Sequence, residues 1–215
     1  MAVEAKILSP KIPRQLDEIK ISDSHKEERQ VSTGIITNSE ISGESIDKMC
    51  FEKIFFQNVT FQDVAFRSVE LTDVIFEKCD LSNVDFSNAI IHRVKFKGCK
   101  LLGINLSEST LRNVFFDECF ADYASFGYSN IKNVKFQKCT LSNADLYESK
   151  FKNVNFNECK MHQANLAGVV LKGVDLSTCL FDNITISLGK LQGCIISTEQ
   201  AIGFSKLLGV IVKDS

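Results

Sequence analysis

Between Phe51 and Ile196 an apolar residue returns at every fifth position without a break. The series runs Phe51, Phe56, Phe61, Phe66, Leu71, Phe76 and onward through Phe181, Ile186, Leu191 and Ile196, and all thirty positions are apolar. Two residues before each lies a second, smaller candidate for the interior, such as Val59, Cys79, Ala89, Cys99, Ser109 or Val134. The remaining three positions of each unit are mostly Asp, Asn, Lys, Ser, Glu and Gly. Neither the 3.6 period of a helix nor the 2.0 period of a strand fits this pattern. A unit of five with two inward residues predicts one short side of a coil, followed by a corner.

A second period closes the coil. Cys79, Cys99, Cys119, Cys139, Cys159 and Cys179 recur every twenty residues, which predicts four sides per turn and one stacked column of thiols. The other sides keep their own character at the same spacing. Ala124, Ala144 and Ala164 mark the next side, and Ser109, Ser129 and Ser149 the third. Val94, Val114, Val134, Val154 and Val174 mark the fourth, which also carries the column Phe56, Phe76, Phe96, Phe116, Phe136 and Phe156. Stacked coils bonded through their backbones would lie ~4.8 Å apart. Val31, Ile36, Ile41 and Ile46 extend the register backwards, with Glu44 a poor inward partner. Residues 31–196 then make roughly eight coils and a rod ~40 Å long. The expected fold is all-β, a quadrilateral parallel β-helix with a short C-terminal helix.

Such a rod has open backbone edges at both ends, so it needs caps. Residues 1–30, charged and holding Pro10 and Pro13, are the candidate N-terminal arm or cap. After Ile196 the period breaks, and Ser197 or Thr198 can cap a helix that continues through Phe204, Lys206, Leu207 and Leu208. Gly209 can end it, and Val210, Ile211 and Val212 read as a short strand. Residues 197–215 thus form an apolar terminal element, from which we expect a homodimer joined through Phe204, Leu207, Leu208, Val210 and Ile211.

Composition narrows the function classes. The 215 residues are 44% hydrophobic and 24% charged, with a net charge of -2, which argues against a strongly basic nucleic-acid binder; no direct nucleic-acid contact is expected. No stretch reaches the ~18 to 20 apolar residues that span a bilayer, so no membrane partner is expected. The first thirty residues lack the apolar core of a secretory signal, which gives a cytoplasmic expectation. His25, His92 and His162 belong to no Ser or Cys motif, and there is no P-loop and no GxGxxG. A non-enzymatic protein without cofactor or metal is therefore expected. The cysteine column invites a metal or redox interpretation, but zinc ligands favour C-x2-4-C pairs, and Cys also serves as a small buried hydrophobe. Packing is the simpler role.

The outward positions are not uniform. His92, Arg112, Lys132, Lys152 and Lys172 align as a basic column, reinforced by Arg93 and Lys150. The adjacent side displays Asp85, Glu108, Asp145 and Glu148. Solvated repeat positions account for such stripes; a face matched electrostatically to a partner is the functional alternative. One coil departs from the rest: in 119–128, Ala121 stands where its column has Leu or Met, and Asp122, Tyr123 and Tyr128 face outward. Local repacking and a recognition patch both fit, because Tyr offers area with a polar tip.

The units Ala144-Asp145-Leu146, Ala164-Asn165-Leu166, Cys79-Asp80-Leu81 and Val84-Asp85-Phe86 resemble the A(D/N)LXX signature of the pentapeptide-repeat family. Within it, the Ala121-Asp122-Tyr123-Ala124-Ser125-Phe126 segment and the ending from Thr198-Glu199-Gln200-Ala201-Ile202 to Leu208-Gly209-Val210-Ile211-Val212 are similar to the loopless Qnr-type quinolone-resistance proteins of Gram-positive bacteria. The resemblance implies a right-handed coil, a homodimer and a DNA-like rod. It also implies binding to DNA gyrase or topoisomerase IV that counters fluoroquinolones through Asp85, Glu108, Asp122, Tyr123, Tyr128, Asp145 and Glu148. Two features depart from that group. The unbroken register leaves no room for a projecting loop, and residues 31–215 hold 21 acidic and 19 basic residues, so mimicry of DNA is expected from selected faces only. The alternative is an interaction scaffold for an anionic or other protein partner.

Overall fold

The computed structural model describes residues 7–213 other than 22, 208, 210 and 212. After the short helix α1 (Asp23–Glu28) the chain winds through β1 (Gln30–Thr37), β2 (Glu40–Ser42), β3 (Cys50–Gln57), β4 (Thr60–Gln62) and β5 (Glu70–Glu77). It continues through β6 (Ile90–Lys97), β7 (Thr110–Asp117), β8 (Asn130–Gln137), β9 (Lys150–Asn157), β10 (Asn165–Leu166) and β11 (Thr185–Ile186), and ends in helix α2 (Thr198–Leu207). Every pairing between these strands is parallel and offset by twenty residues, as in Val31↔Phe51, Phe56↔Phe76 and Phe136↔Phe156. Isolated bridges such as Asp80↔Lys100, Asp85↔Asn105 and Thr140↔Lys160 carry the same offset around the other two sides. The period of twenty is thus one turn of a parallel solenoid.

The corners explain the outward composition. From Lys53 to Gly173 every fifth residue has φ between 52° and 82°. That left-handed conformation costs an ordinary L-residue ~1–2 kcal/mol, and Asn bears it better than most. Hence Asn occupies positions 58, 83, 88, 113, 133, 143 and 153. The four corners are not equivalent. Arg93 lies inside β6, and its strand register passes from His92↔Arg112 to Val94↔Val114, so two sides of each coil form one bent seven-stranded sheet. The other two sides are closed by turns, as in Val84 N to Leu81 O at 3.3 Å and Ser129 N to Phe126 O at 3.2 Å. A positive φ at the third residue is what a type II turn requires.

The interior is a set of ladders. Phe56, Phe76, Phe96, Phe116, Phe136 and Phe156 stack with ring centroids 4.7 to 5.0 Å apart and planes within 5°. The spacing is that of the strands that carry them. Thiols and hydroxyls in the smaller inward slot do the same work: Cys99 Sγ donates to Phe76 O and Cys159 Sγ to Phe136 O, both at 3.4 Å, while Ser129 Oγ donates to Leu106 O at 2.8 Å and Ser149 Oγ to Phe126 O at 2.6 Å. Each acceptor lies 23 residues earlier. All eight cysteines are free, and the column of six is buried. The neighbouring thiol and burial together push Cys79 and Cys179 well above the ordinary thiol range. They are protonated packing groups. At the irregular coil Ala121 is buried, and the ring of Phe126 on the next side stands edge-on to Phe116 and Phe136 at 6.1 and 5.8 Å.

Both ends are covered. Ile19 N donates to Ile35 O and Ile35 N to Asp17 O, each at 2.9 Å, so the N-terminal arm pairs with the open edge of the first coil. Gly34 permits this approach, since a Cβ there would stand 2.5 Å from the Ile19 side chain. Glu44, the poor inward residue, is compensated by Lys26 of α1 at 2.5 Å. The arm also runs along one corner, where Lys11 N donates to Asp73 Oδ1 at 2.8 Å and Leu8 N to Asn113 Oδ1 at 3.4 Å. At the far end Gln200 N donates to Ser197 Oγ while Ser197 N donates to Gln200 Oε1, a reciprocal cap for α2. Gln200 Nε2 bonds Leu176 O and Cys179 O of the last coil.

The expected strand at Val210–Val212 is not seen where it can be judged. Ile211 belongs to no strand and is 86% exposed, and Leu208, Val210 and Val212 lie outside the described residues.

Candidate interaction surface

The seven acidic and aromatic residues singled out from sequence fall into two groups. Glu108, Tyr128 and Glu148 occupy consecutive positions of one corner column, with φ of 58°, 59° and 54°, so the tyrosine stands between two glutamates one coil away on either side. Tyr147 joins them, its ring edge-on to Tyr128 at 5.4 Å. Tyr123 sits on the neighbouring corner, in the column of Gly103, which offers no side chain to cover it. Tyr123 and Tyr128 are each 64% exposed. A left-handed corner throws its side chain outward, which is why these four residues project.

Asp85, Asp122 and Asp145 do something else. Asp85 Oδ1 accepts from Ser87 N at 3.0 Å and Asn105 Nδ2 at 3.0 Å, and its Oδ2 accepts from Arg67 Nε at 2.8 Å. Burial pushes its carboxyl up, but Ser87 and Arg67 hold it below the usual range. Asp145 caps Tyr147 N and accepts from Asn165 Nδ2. Asp122 accepts from Thr140 Oγ1 and Ser142 N of the next coil, both at 2.7 Å. Their carboxylates fasten turns and coils together, so the outward acidic charge of this side rests on Glu108 and Glu148.

Sequence reasoning missed Leu102, Phe120 and Tyr147. They hold outward slots of the same two turn-closed sides and are exposed, Phe120 by 55%. The signal was present, since an apolar residue one position before or after the inward residue of its unit breaks the polar pattern. Tyr128 and Tyr147 form an aromatic pair bordered by Glu108 and Glu148, while Tyr123, Phe120 and Leu102 are exposed on the adjoining corner and side.

The basic column lies on the bent sheet, in strand register: His92↔Arg112, Arg112↔Lys132 and Lys132↔Lys152. Burial, then the charges of Arg93 and Arg112, hold His92 below the usual imidazole range, so it is neutral at pH 7. Arg93 is spent on Asp73, which it grips through Nε at 2.6 Å and one terminal nitrogen at 2.7 Å.

Of the residues expected at a dimer interface, Phe204 packs in its own chain against Phe181 at 5.7 Å and is buried. Leu188, Ile195, Ile202 and Ile211 are exposed at this end. Leu207 closes α2, and Leu208 and Val210, also expected at the interface, lie outside the described residues. Among the described residues no helix is long and apolar enough to cross a membrane.

A family model described as a pentapeptide repeat region matches residues 69–146 and 129–201, more than half of the chain. No curated protein matches the sequence. Among solved structures, a trypsin-treated variant of QnrB1, a plasmid-mediated fluoroquinolone resistance protein, is 20% identical over 84% of this chain and 100% of that one, with a TM-score of 0.46. Full-length QnrB1 is 19% identical over 82% and 100%, with a TM-score of 0.41. HetL, a pentapeptide repeat protein involved in heterocyst differentiation regulation from the cyanobacterium Nostoc, is 14% identical over 78% and 85%, with a TM-score of 0.37.

Proposed function

The chain belongs to the pentapeptide repeat family, and on that premise we propose that it is a non-enzymatic, homodimeric binding protein of DNA gyrase or topoisomerase IV that counters fluoroquinolones. The observation that carries this reading is the acid-bordered aromatic pair Tyr128 and Tyr147, with Tyr123 exposed on the adjoining corner. Exposed tyrosines supply area at low entropic cost and are frequent hot spots, and the flanking Glu108 and Glu148 suit a basic partner such as the DNA-binding surface of a topoisomerase. The likeness of 121–126 and of the C-terminal ending to Qnr-type proteins supports the same partner.

The mechanism is contact through one edge. Asp85, Asp122 and Asp145 are committed to internal hydrogen bonds, so this rod offers no continuous carboxylate stripe along that side, and competition with DNA falls to Glu108, Tyr128, Glu148 and Tyr123. The second copy docks at the C-terminal end, where Leu188, Ile195, Ile202 and Ile211 are exposed and α2 is anchored by Phe204 and Gln200. A cytoplasmic location goes with this role.

Purified protein should restore gyrase supercoiling in the presence of ciprofloxacin. Tyr123→Ala combined with Tyr128→Ala should raise the concentration needed for protection by about 10-fold to 100-fold. Both residues are exposed, so the melting temperature should hold. Absence of rescue, together with absence of gyrase and topoisomerase IV binding by the unaltered protein, would overturn the proposal.

A further inference from the structure

The bent sheet carries a second surface that the proposed function does not use. Arg112, Lys132 and Lys152 stand side by side on β7, β8 and β9, and Lys172 continues the column on the next coil. Three strand spacings place the four cations along a straight row of ~14 Å. The segments that build this side, 109–113, 129–133, 149–153 and 169–173, contain no carboxylate. None of the four cations forms an ion pair among the described residues, whereas Lys95, Lys97, Lys100, Arg67 and Arg93 all do. Four like charges in adjacent rungs repel one another. The fold bears that cost without an internal counter-charge.

From this geometry we infer that the row Arg112, Lys132, Lys152 and Lys172 binds the phosphate backbone of duplex nucleic acid without sequence preference. Charge density favours this occupant. A duplex presents one phosphate per ~1.7 Å of axis, so a rigid row of cations meets phosphates at any register. The side is flat sheet bordered at one corner by the N-terminal arm, and among the described residues no helix projects from it to enter a groove, which favours backbone contacts. Beside the row, Thr110, Asn130 and the linked amides Asn133 and Asn153 add neutral polar groups. The exposed apolar residues here are Ile90 and Val170. Neither offers the aromatic platform that single strands need.

The net charge of -2 led to the opposite expectation, but it averages over faces that the fold separates. Glu108 and Glu148 mark one border of this side, and Asp117 beyond the other is paired with Lys95 at 3.2 Å. Because the row and the exposed tyrosines lie on different sides, each can fail without the other.

Anisotropy of a fluorescein-labelled 20-base-pair duplex of arbitrary sequence, titrated with the full chain alone between 50 and 200 mM salt, tests this. Log affinity should fall against log salt with a slope of about -3 to -4, and Arg112→Gln, Lys132→Gln and Lys152→Gln together should reduce the slope by about 3 and the affinity at 50 mM salt at least 100-fold. Lys132→Arg with Lys152→Arg should retain binding, and Lys100→Gln, Lys138→Gln and Lys160→Gln, on other faces, should change affinity less than 3-fold. No duplex binding at 50 mM salt would overturn the inference. So would equal losses from the two neutralised triples, or binding to phosphatidylglycerol vesicles in place of the duplex.

Discussion

The two sheet sides and the two turn-closed sides of each coil are made from the same five-residue unit with the same left-handed corner, yet they use their outward residues differently. On the turn-closed sides the residue before the inward one is repeatedly spent on the corner. Asp80 Oδ1 takes Ser82 N, Asp85 Oδ1 takes Ser87 N, Asn105 Oδ1 takes Ser107 N and Asn165 Oδ1 takes Ala167 N. On the sheet sides strand pairing holds the backbone, so outward residues carry no such duty and can stand as rows of unpaired charge. A count of acidic and basic residues therefore overstates the acid available to a partner. It understates how basic one side is.

The largest effect expected from this contrast concerns the core behind each kind of side. Phe116 is stacked between Phe96 at 4.9 Å and Phe136 at 4.7 Å, with Phe126 edge-on. Phe116→Ala should cost about 3–5 kcal/mol, combining cavity and lost ring contacts. Leu141→Ala, equally buried behind a turn-closed side, should cost less, towards ~2–3 kcal/mol. Equal losses in urea unfolding would show that the aromatic column gives the sheet sides no advantage.

A smaller effect should appear in acid. Asp73 is buried on a sheet corner, where burial raises its carboxyl, but Arg93 and the Lys11 N–H outweigh that and hold it below the ordinary range. A carboxyl depressed on folding stabilises the fold above its unfolded value of about 3.9 and loses that contribution as pH falls through its folded value. Stability should therefore fall between pH 7 and pH 3 by up to about 1 kcal/mol more than in Asp73→Asn, which has no carboxyl to protonate and has already lost the charged bonds at neutral pH. Thermal unfolding at pH 7 and pH 3 reads the difference. A pH profile unchanged by the substitution would remove the clamp from the account of the N-terminal arm.

What the sequence made legible follows the same division. The inward ladders could be read in full because burial leaves a strict period: Cys79 to Cys179 and Phe56 to Phe156 sit where periods of five and twenty put them. Corner geometry was half legible, in the Asn, Gly and Asp of one slot, whose left-handed φ only the coordinates reveal. The duties of the outward carboxylates were not legible. Asp85 and Glu108 are alike as acidic outward residues, yet one caps Ser87 and binds Arg67, while the other projects from its corner. Nothing in residue type separates the two; the slot within the unit does. Leu102, Phe120 and Tyr147 are hard to read from sequence for a related reason, since each is an apolar residue in an outward slot whose neighbours are polar.

The finest test of the comparison sets one corner against another. Asn133 and Asn143 share the left-handed conformation, with φ of 54° and 58°. Asn133 lies within β8 on a sheet corner, donating to Asn113 Oδ1 at 3.4 Å and accepting from Asn153 Nδ2 at 2.9 Å, while Asn143 closes a turn through its backbone, Ala144 N to Leu141 O at 3.1 Å. Glycine keeps the backbone conformation at either site and deletes only the side chain. Asn143→Gly should then stay within about 0.5 kcal/mol of the parent. Asn133→Gly should lose about 1 kcal/mol, the net worth of the two amide contacts it forfeits. Guanidinium unfolding midpoints resolve a difference of that size. If the two substitutions shift the midpoint alike, the amide ladder contributes nothing to the sheet corner, and the row of cations beside it rests on strand pairing alone.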